Sequence, residues 1–558
     1  MGRLQPYLFA LVVFATFLVF LPSSNFHFVN WDDPQYVIHS NEIKSLSFEN
    51  IKKIFGNTQT VNYHPLTTFS LAIDYHFFKL DPKGYHLTNV ILHTFNTMLA
   101  FIFIFILSGR WAAALVTALF FGIHPLHVES VAWVTERKDC LHVFFYISTL
   151  IAYVAYLKNP KPKMLWLAVF LFLPALLAKA QAASLVLVLF LLDFYAGRKL
   201  SRKVFTEKWP FFALAVIFAG LVIQGGFSAE EFRYSGIFSW ADKLFLAAFS
   251  FVMYWVKIFL PVGLSCLYPY PEKTQGVFPL YIYLSLPAAA LMFWLVLKKF
   301  AKNRDALFGF LFFSVLILFM SFLLPVGHAF MADRFSYLAS LGIFFMAASP
   351  GRPFFQRYKI LVFLVLAVYT GMFVVSTRQR LYVWQNSETL WNDAIDKYPA
   401  FHKPYLYRGN YYRELGRFEK ALKDYTISIR LKPDYTDGYN NRATLFQDLG
   451  LYDPALKDYT EALKINPGIT ELYANRANAY AQKGEYDLAL ADYEKVLHQR
   501  PRDAEIYYNR GLMYYSRGDR AKAVRDFQTA VSLKKDFPEA VAALKRARGL
   551  KDKTGSNN

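Results

Sequence analysis

Cysteine is almost absent: Cys140 and Cys266 are the only two in 558 residues. They build neither a disulfide framework nor a Cys-x-x-Cys or Cys/His metal motif. No Asn-x-Ser/Thr triplet occurs, so the chain offers no acceptor for an N-linked glycan. Residues 377–558 lack any long apolar run and are rich in Tyr, Asp, Lys, Arg, Asn and Ala, which excludes a membrane span there. Charge is the scarce element in residues 1–376, confined to short clusters between stretches of Phe, Leu, Val, Ile and Ala. The chain is longer than one ordinary domain, and its composition divides it into a membrane part and a soluble part.

The net charge of +20 would ordinarily raise nucleic acid as a partner. Here the positive residues fall largely in short loops between apolar segments, where they set topology instead, and no nucleic-acid partner is expected. A span needs roughly 20 apolar residues to cross about 30 Å of hydrocarbon. Candidate spans lie near 7–22, 86–107, 111–128, 139–157, 164–178, 183–196, 209–226, 278–297, 305–325, 337–349 and 358–375. The first is read as an uncleaved span, because Leu21-Pro22-Ser23-Ser24-Asn25 makes a poor signal cleavage site.

The stretch 242–260 is ambiguous. The basic loops at Arg110, Lys158–Lys163, Arg198–Lys203, Lys298–Arg304 and Arg352–Lys359 share one side only if 242–260 does not cross. Eleven crossings then place the C-terminal part outside the cytoplasm; twelve would leave it inside. With no glycan acceptor, the eleven-span reading predicts a bacterial inner-membrane protein whose soluble part faces the periplasm.

That soluble part has a fixed period. Pro399, Pro433, Pro467 and Pro501 lie 34 residues apart, as do Gly416, Gly450, Gly484 and Gly518, and Ala421, Ala455, Ala489 and Ala523. Asp-aromatic pairs recur in phase at Asp424-Tyr425, Asp458-Tyr459, Asp492-Tyr493 and Asp526-Phe527. A 34-residue helix–turn–helix period of this kind is the tetratricopeptide repeat. The expected organisation is a polytopic membrane domain over 1–376, a linker with a degenerate repeat helix over 377–399, repeats with a capping helix over 400–548, and a disordered tail over 549–558. Arg408, Arg442, Arg476 and Arg510 form a column on the first helix of each repeat, with Asn441, Asn475 and Asn509 beside it. Two readings stay open: repeat consensus with each Arg in a local ion pair, or a ladder that captures acidic side chains or peptide carboxylates of a partner.

The residues able to carry chemistry cluster in three segments. Asn30-Trp31-Asp32-Asp33-Pro34 follows the first span; the pair is either a plain turn or a general base whose pKa a neighbour tunes. His124-Pro125-Leu126-His127-Val128-Glu129-Ser130 and Glu136-Arg137-Lys138-Asp139 follow the third span, and Pro325-Val326-Gly327-His328 with Met331-Ala332-Asp333-Arg334-Phe335 follows the ninth. Lys179 falls on the same predicted side. Charges at bilayer depth are costly and mark pathways or sites, and carboxylates facing several cations suit a phosphate-bearing, lipid-borne substrate. His124 and His127 beside Glu129 raise a metal reading that Pro125 weakens. No metal ligand set is assigned, and a divalent cation is left open. His64, His86 and His93 are read as structural.

These blocks, with Tyr63-His64-Pro65-Leu66-Thr67, Gly84-Tyr85-His86-Leu87-Thr88-Asn89, Leu191-Leu192-Asp193-Phe194-Tyr195, Ala332-Asp333-Arg334-Phe335-Ser336-Tyr337-Leu338 and Trp384-Gln385-Asn386-Ser387-Glu388-Thr389-Leu390-Trp391, resemble the transmembrane and tetratricopeptide-repeat-containing proteins over nearly the whole chain. The resemblance implies an all-α, GT-C-type glycosyltransferase that takes a sugar from a polyprenyl-phosphate carrier. Eukaryotic members resemble protein O-mannosyltransferases with an acidic motif in the first lumenal loop. It implies Asp32 as base and Asp33 as the group orienting acceptor or base. Arg137, Lys138, Lys179 and Arg334 would hold the lipid phosphate, and His127 and Glu129 would line the acceptor or sugar pocket. The pair here is Asp-Asp where protein mannosyltransferases commonly carry Asp-Glu, and only four full repeats follow. Beside the enzyme stand two other readings: a membrane-anchored repeat scaffold, and a transporter of lipid-linked sugars.

Overall fold

Among the described residues, seven helices in the N-terminal part are long and apolar enough to cross a membrane: Gln5–Asn25, Pro82–Ser108, Val134–Lys158, Arg202–Gln224, Leu280–Phe300, Arg304–Ser321 and Lys359–Val383. They belong to a computed structural model that describes residues 4–57, 63–225, 238–323, 329–350 and 357–549. The chain divides into two units, Met1–Tyr398 and Pro399–Asn558, and its described elements are helical apart from two isolated β-bridges. His328 and most of the tail lie outside the described residues.

Trp111–Ile123 and Pro125–Ala132, bent by 53°, add an eighth span if taken together. Of the remaining segments that the sequence counts among eleven crossings, Pro162–Ala178 and Ala180–Tyr195 are short apolar helices, and Ser336–Ala347 has only 12 residues. At about 1.5 Å per residue such a helix covers roughly 18 Å, less than the hydrocarbon core. Two of these helices border polar segments engaged in ion pairs: Lys179 follows the first, and Asp333-Arg334 precedes the last. Trp240–Phe259 is not among the candidate spans. Phe245 near its start packs on Tyr283. Near its end Tyr254 Oη donates to the Ala332 carbonyl at 2.8 Å, and the Ile258 carbonyl accepts from His124.

Buried polar side chains hold the spans where helices break. Asn89 Nδ2 donates to the carbonyls of Val131 and Trp133, both at 3.2 Å, freed by the kink after Ala132. His93 joins Tyr337 Oη at 2.7 Å and the Gly122 carbonyl at 3.1 Å. Gly309 and Gly342 let two helices touch backbone to backbone; a Cβ on either would lie 2.3 Å from the other's carbonyl oxygen.

Where the sequence suggests a linker from residue 377, the helix Lys359–Val383 continues without interruption. Ser387–Lys397 follows under an Asn386 capping box and belongs to the first unit. Burial is the reason: Trp384 and Trp391 have no exposed surface, Trp391 Nε1 donates to Asn30 Oδ1 at 2.7 Å, and Arg380 pairs with Asp393 at 2.6 Å.

The second unit is four helix pairs and a closing helix, from His402–Glu414 and Phe418–Leu431 to Ala504–Ser516, Arg520–Leu533 and Pro538–Ala547. Gly416 and Gly484 end first helices at φ of +69° and +86°, a left-handed turn that favours glycine. Gly409, Ala443, Ala477 and Gly511 sit one period apart where the paired helix delivers an aromatic ring. A Cβ at Gly409 would lie 2.6 Å from Tyr425. Ala421, Ala455, Ala489 and Ala523 are fully buried, so small residues set the helix separation and the aromatics fill each layer.

Candidate active site

The first span delivers a loop whose end is pinned. Asp33 is 1% exposed. Its two carboxylate oxygens accept the backbone N–H of Val29 at 3.0 Å and of Thr135 at 3.1 Å, so the first loop is bracketed to the segment that precedes the helix Arg137–Lys158. Burial nevertheless pushes its carboxyl up to about 7 against the pull of those amides. Asp32 points the other way: its side chain is 32% exposed, with Lys138 Nζ at 3.7 Å. Burial raises its carboxyl above the ordinary range, while Lys138 and Arg334 oppose that shift and Glu136 adds to it. Trp31 stacks on Trp133 at 4.5 Å, and Trp133 on Trp384 at 5.5 Å, an aromatic column that fixes the loop's height.

Across from Asp32 stand three cations and three carboxylates. Arg334 donates its backbone N–H to Glu129 Oε2 at 3.1 Å and its guanidinium to Glu129 Oε1, while lying over the Trp133 ring at 5.6 Å. These carboxylates hold its pKa above the usual value despite burial. Lys179 pairs with Asp139, which also accepts from Ser130 at 2.9 Å. Glu136 lies between all three cations, 3.2 Å from Lys138, 3.3 Å from Arg334 and 3.6 Å from Lys179. His64, at the edge of this group, is kept neutral, its pKa lowered to about 3 by burial and by the two lysines. Thr67, one turn on, donates to the Ala178 carbonyl at 3.2 Å and so ties that edge to Lys179.

Of the residues singled out in the sequence, Asp32, Glu129, Lys138, Lys179 and Arg334 come together. Arg137 does not join them. It is fully buried and turned to the opposite side, against Asp74 at 2.5 Å, Asn89 Oδ1 at 2.8 Å and the Tyr85 carbonyl at 2.8 Å, so that Nε and both Nη groups are engaged by protein. His127 is also structural: its ring nitrogens meet the Phe121 carbonyl at 2.7 Å and Ser340 Oγ at 2.9 Å. His124 caps the next turn by accepting from Leu126 N–H. Both nitrogens of each ring are thus engaged by protein, and no group of three His, Cys, Asp or Glu able to hold a metal occurs among the described residues. Asp33 orients the loop through its two backbone N–H partners and makes no ion pair with any of the three cations. Glu136 and Asp139 are the site residues to which the sequence reading, although it named their segment, gave no role. Their signal is the charged run Glu136-Arg137-Lys138-Asp139 at the mouth of an apolar span.

In the repeats, each column arginine is claimed by an aspartate 16 residues on. Arg408 meets Asp424 through Nε at 2.7 Å and Nη2 at 2.8 Å, and Arg442–Asp458, Arg476–Asp492 and Arg510–Asp526 repeat that fork. The ladder of carboxylate-capturing cations is therefore not what these arginines form: they lock the two helices of their own repeat. The asparagines run between repeats instead, Asn441 donating to Asn410 Oδ1 at 2.9 Å and Asn475 to Asn440 Oδ1 at 3.0 Å. Asn410 and Asn441 line a cavity of about 540 Å³ with Arg413 and Asp448, and Asn509 lines another of about 300 Å³ with Asn478 and Tyr493.

Comparison with known proteins bears on both units. Sequence models of the tetratricopeptide repeat match residues 409–450, 436–468 and 477–548. A protein O-mannosyl-transferase of Caenorhabditis elegans is 24% identical over 428 residues, 73% of this chain and 58% of that protein. Those of Drosophila melanogaster and Xenopus laevis are 29% and 30% identical over 34% and 29% of this chain, and 23% and 21% of theirs. The chain is similar to the transmembrane and tetratricopeptide-repeat-containing proteins. It spans little more than half the length of the nematode relative. Its C-terminal unit is a tetratricopeptide-repeat domain. Among solved structures, a MamA fragment from Desulfovibrio magneticus RS-1 is 22% identical, covering 28% of this chain and 97% of its own at a TM-score of 0.24. YrrB, described as a repeat protein with an unusual peptide-binding site, is 24% identical, covering 28% and 80% at 0.26.

Proposed function

We propose that the chain is a membrane glycosyltransferase that moves a sugar from a polyprenyl-phosphate carrier to a protein hydroxyl, with the repeats holding the acceptor. The observation that carries this is Asp32, a third exposed and beside Lys138, with Lys138, Lys179 and Arg334 gathered around Glu136 next to it. A carboxylate beside cations at bilayer depth pairs a base with an anion site, and a lipid-linked phosphate presents its charge at that depth. The names of the relatives point to mannose as the sugar and protein as the acceptor. The distribution of basic loops supports an extracytoplasmic site.

The chemistry follows from these roles. The acceptor hydroxyl oxygen attacks the anomeric carbon, and its proton passes to Asp32. The bond between that carbon and the phosphate oxygen breaks, and polyprenyl phosphate leaves carrying the electron pair. Lys138, Lys179 and Arg334 stabilise the charge that grows on the leaving oxygen. Glu129 holds Arg334, Asp139 holds Lys179, and Asp33 holds the loop that presents the base.

The test is sugar transfer by the purified full chain in detergent, offered polyprenyl-phosphate mannose and related donors with a periplasmic extract as acceptor. Transfer by wild type and none by Asp32→Asn supports the assignment. Equal transfer by both would remove Asp32 as base, and no transfer from any donor, by protein shown to be folded, would remove the function.

A further inference from the structure

Three cations converge on Glu136, yet two of them already have a carboxylate of their own. Arg334 is bound to Glu129 through backbone and side chain, and Lys179 to Asp139. Lys138 lies between Asp32 at 3.7 Å and Glu136 at 3.2 Å. Glu136 is the shared extra anion. It is 1% exposed, and its Oε2 has no hydrogen-bond partner among the described residues, the nearest ammonium, Lys179, standing off at 3.6 Å. A buried carboxylate ordinarily fills its acceptor sites; this one is surrounded by charge and incompletely bonded.

We infer that Glu136 is the built-in counter-anion of the phosphate site: it keeps Lys138, Lys179 and Arg334 gathered, and the phosphate of the lipid-linked donor competes with it for them. The inference rests on the lipid-phosphate reading of the donor. Three cations this close repel one another and need a negative charge among them. Because Glu129 and Asp139 remain on Arg334 and Lys179, a phosphate can take over the contacts made by Glu136 without releasing either cation. With Asp32, Glu129, Glu136 and Asp139 ionised, four carboxylates face three cations, so an arriving phosphate meets surplus negative charge, and Glu136 is the carboxylate paired with all three cations, the contacts a phosphate would take over. Its neighbour Thr135 carries the N–H that binds Asp33, so a shift of Glu136 is felt directly at the loop that presents Asp32. Glu136 is a positioning residue: it acts through the cations and the loop.

The experiment is equilibrium binding of polyprenyl phosphate to the full chain in detergent, with donor kinetics alongside, for wild type, Glu136→Gln and Glu136→Asp. Loss of the charge in E136Q is expected to tighten polyprenyl phosphate binding about tenfold, to lower KM for the donor, and to lower kcat because the cations are no longer gathered between turnovers. E136D keeps the charge and should bind within about twofold of wild type. Unchanged or weaker binding by E136Q, in protein that melts as wild type does, would overturn the inference while leaving the transferase reading intact. The same holds if E136D behaves as E136Q. Competition by inorganic phosphate at equal concentration would overturn the assignment to a lipid-borne phosphate. Tighter binding by E136Q without sugar transfer by wild type would uphold the anion site and remove the transferase.

Discussion

The backbone N–H of Thr135 donates to Asp33 Oδ1 at 3.1 Å, joining two loops 102 residues apart. The same carboxylate takes Val29 N–H at 3.0 Å, so one buried side chain sets the position of its neighbour Asp32. The Asp32-Asp33 doublet is in this way two different residues: one faces the site, the other is a peg.

The peg has a pH signature. Its carboxyl titrates near 7 in the folded chain against about 3.9 unfolded. The folded state holds the proton more tightly, so the contribution of Asp33 to unfolding free energy falls as pH rises from about 3.9 towards 7. Asp33→Asn should flatten that part of the melting-temperature profile relative to wild type and reduce transfer, since its amide cannot accept both N–H groups. Superimposable slopes for the two proteins between pH 4 and 7 would dismiss the claim.

Asp32 should behave oppositely. Being a third exposed and paired only loosely with Lys138 at 3.7 Å, it carries little of the fold, and Asp32→Asn should melt within about 1 °C of wild type, while losing transfer. Because burial lifts its carboxyl, the acid limb of the pH–rate profile of wild type should sit above the usual carboxylate value of about 3.9. A limb at or below that value would argue against Asp32 as the base.

Arg334→Ala should cost stability as well as activity. It leaves Glu129, 1% exposed, without its cation, a loss of roughly 3–5 kcal/mol for a buried pair. Glu129→Gln on the same background should recover much of that stability and none of the transfer. Thermal melts of the single and double variants decide it; equal melting of both would mean the pair does not hold the segment.

In the repeats, Arg442→Ala and Asp458→Ala should each destabilise by about 1–3 kcal/mol, as for hydrogen bonds to charged groups. The double variant should cost little more than either, because both remove one fork. Additive losses in urea unfolding would show that the two residues work separately. Gly484→Ala, at φ +86° with open space around the site, should cost about 1–2 kcal/mol from backbone strain alone.

The repeat half was largely legible because its information is local and repeated: the period at Pro399, Gly416 and Ala421 defines helix lengths, turns and close contacts without knowledge of distant residues. The membrane half was legible as helices but not as a count of crossings. The apolar stretches beside Lys179 and Asp333 read as spans by hydropathy, but their helices, Pro162–Ala178, Ala180–Tyr195 and Ser336–Ala347, are short, and Trp384 and Trp391 draw a stretch resembling a repeat helix into the first unit.

By itself the sequence determined the all-α class, the division between apolar and repeat halves, and the segments that carry charge near bilayer depth, since composition and periodicity dictate these. Tertiary structure alone decided which member of each charged run does what. Successive residues on a helix point about 100° apart, so Glu136, Arg137, Lys138 and Asp139 face different neighbours. Packing turned Arg137 to Asp74, Lys138 to Asp32 and Asp139 to Lys179. The column arginines were settled in the same way: an aspartate 16 residues on, brought close only when the two helices of a repeat pack, claims each guanidinium before any partner can.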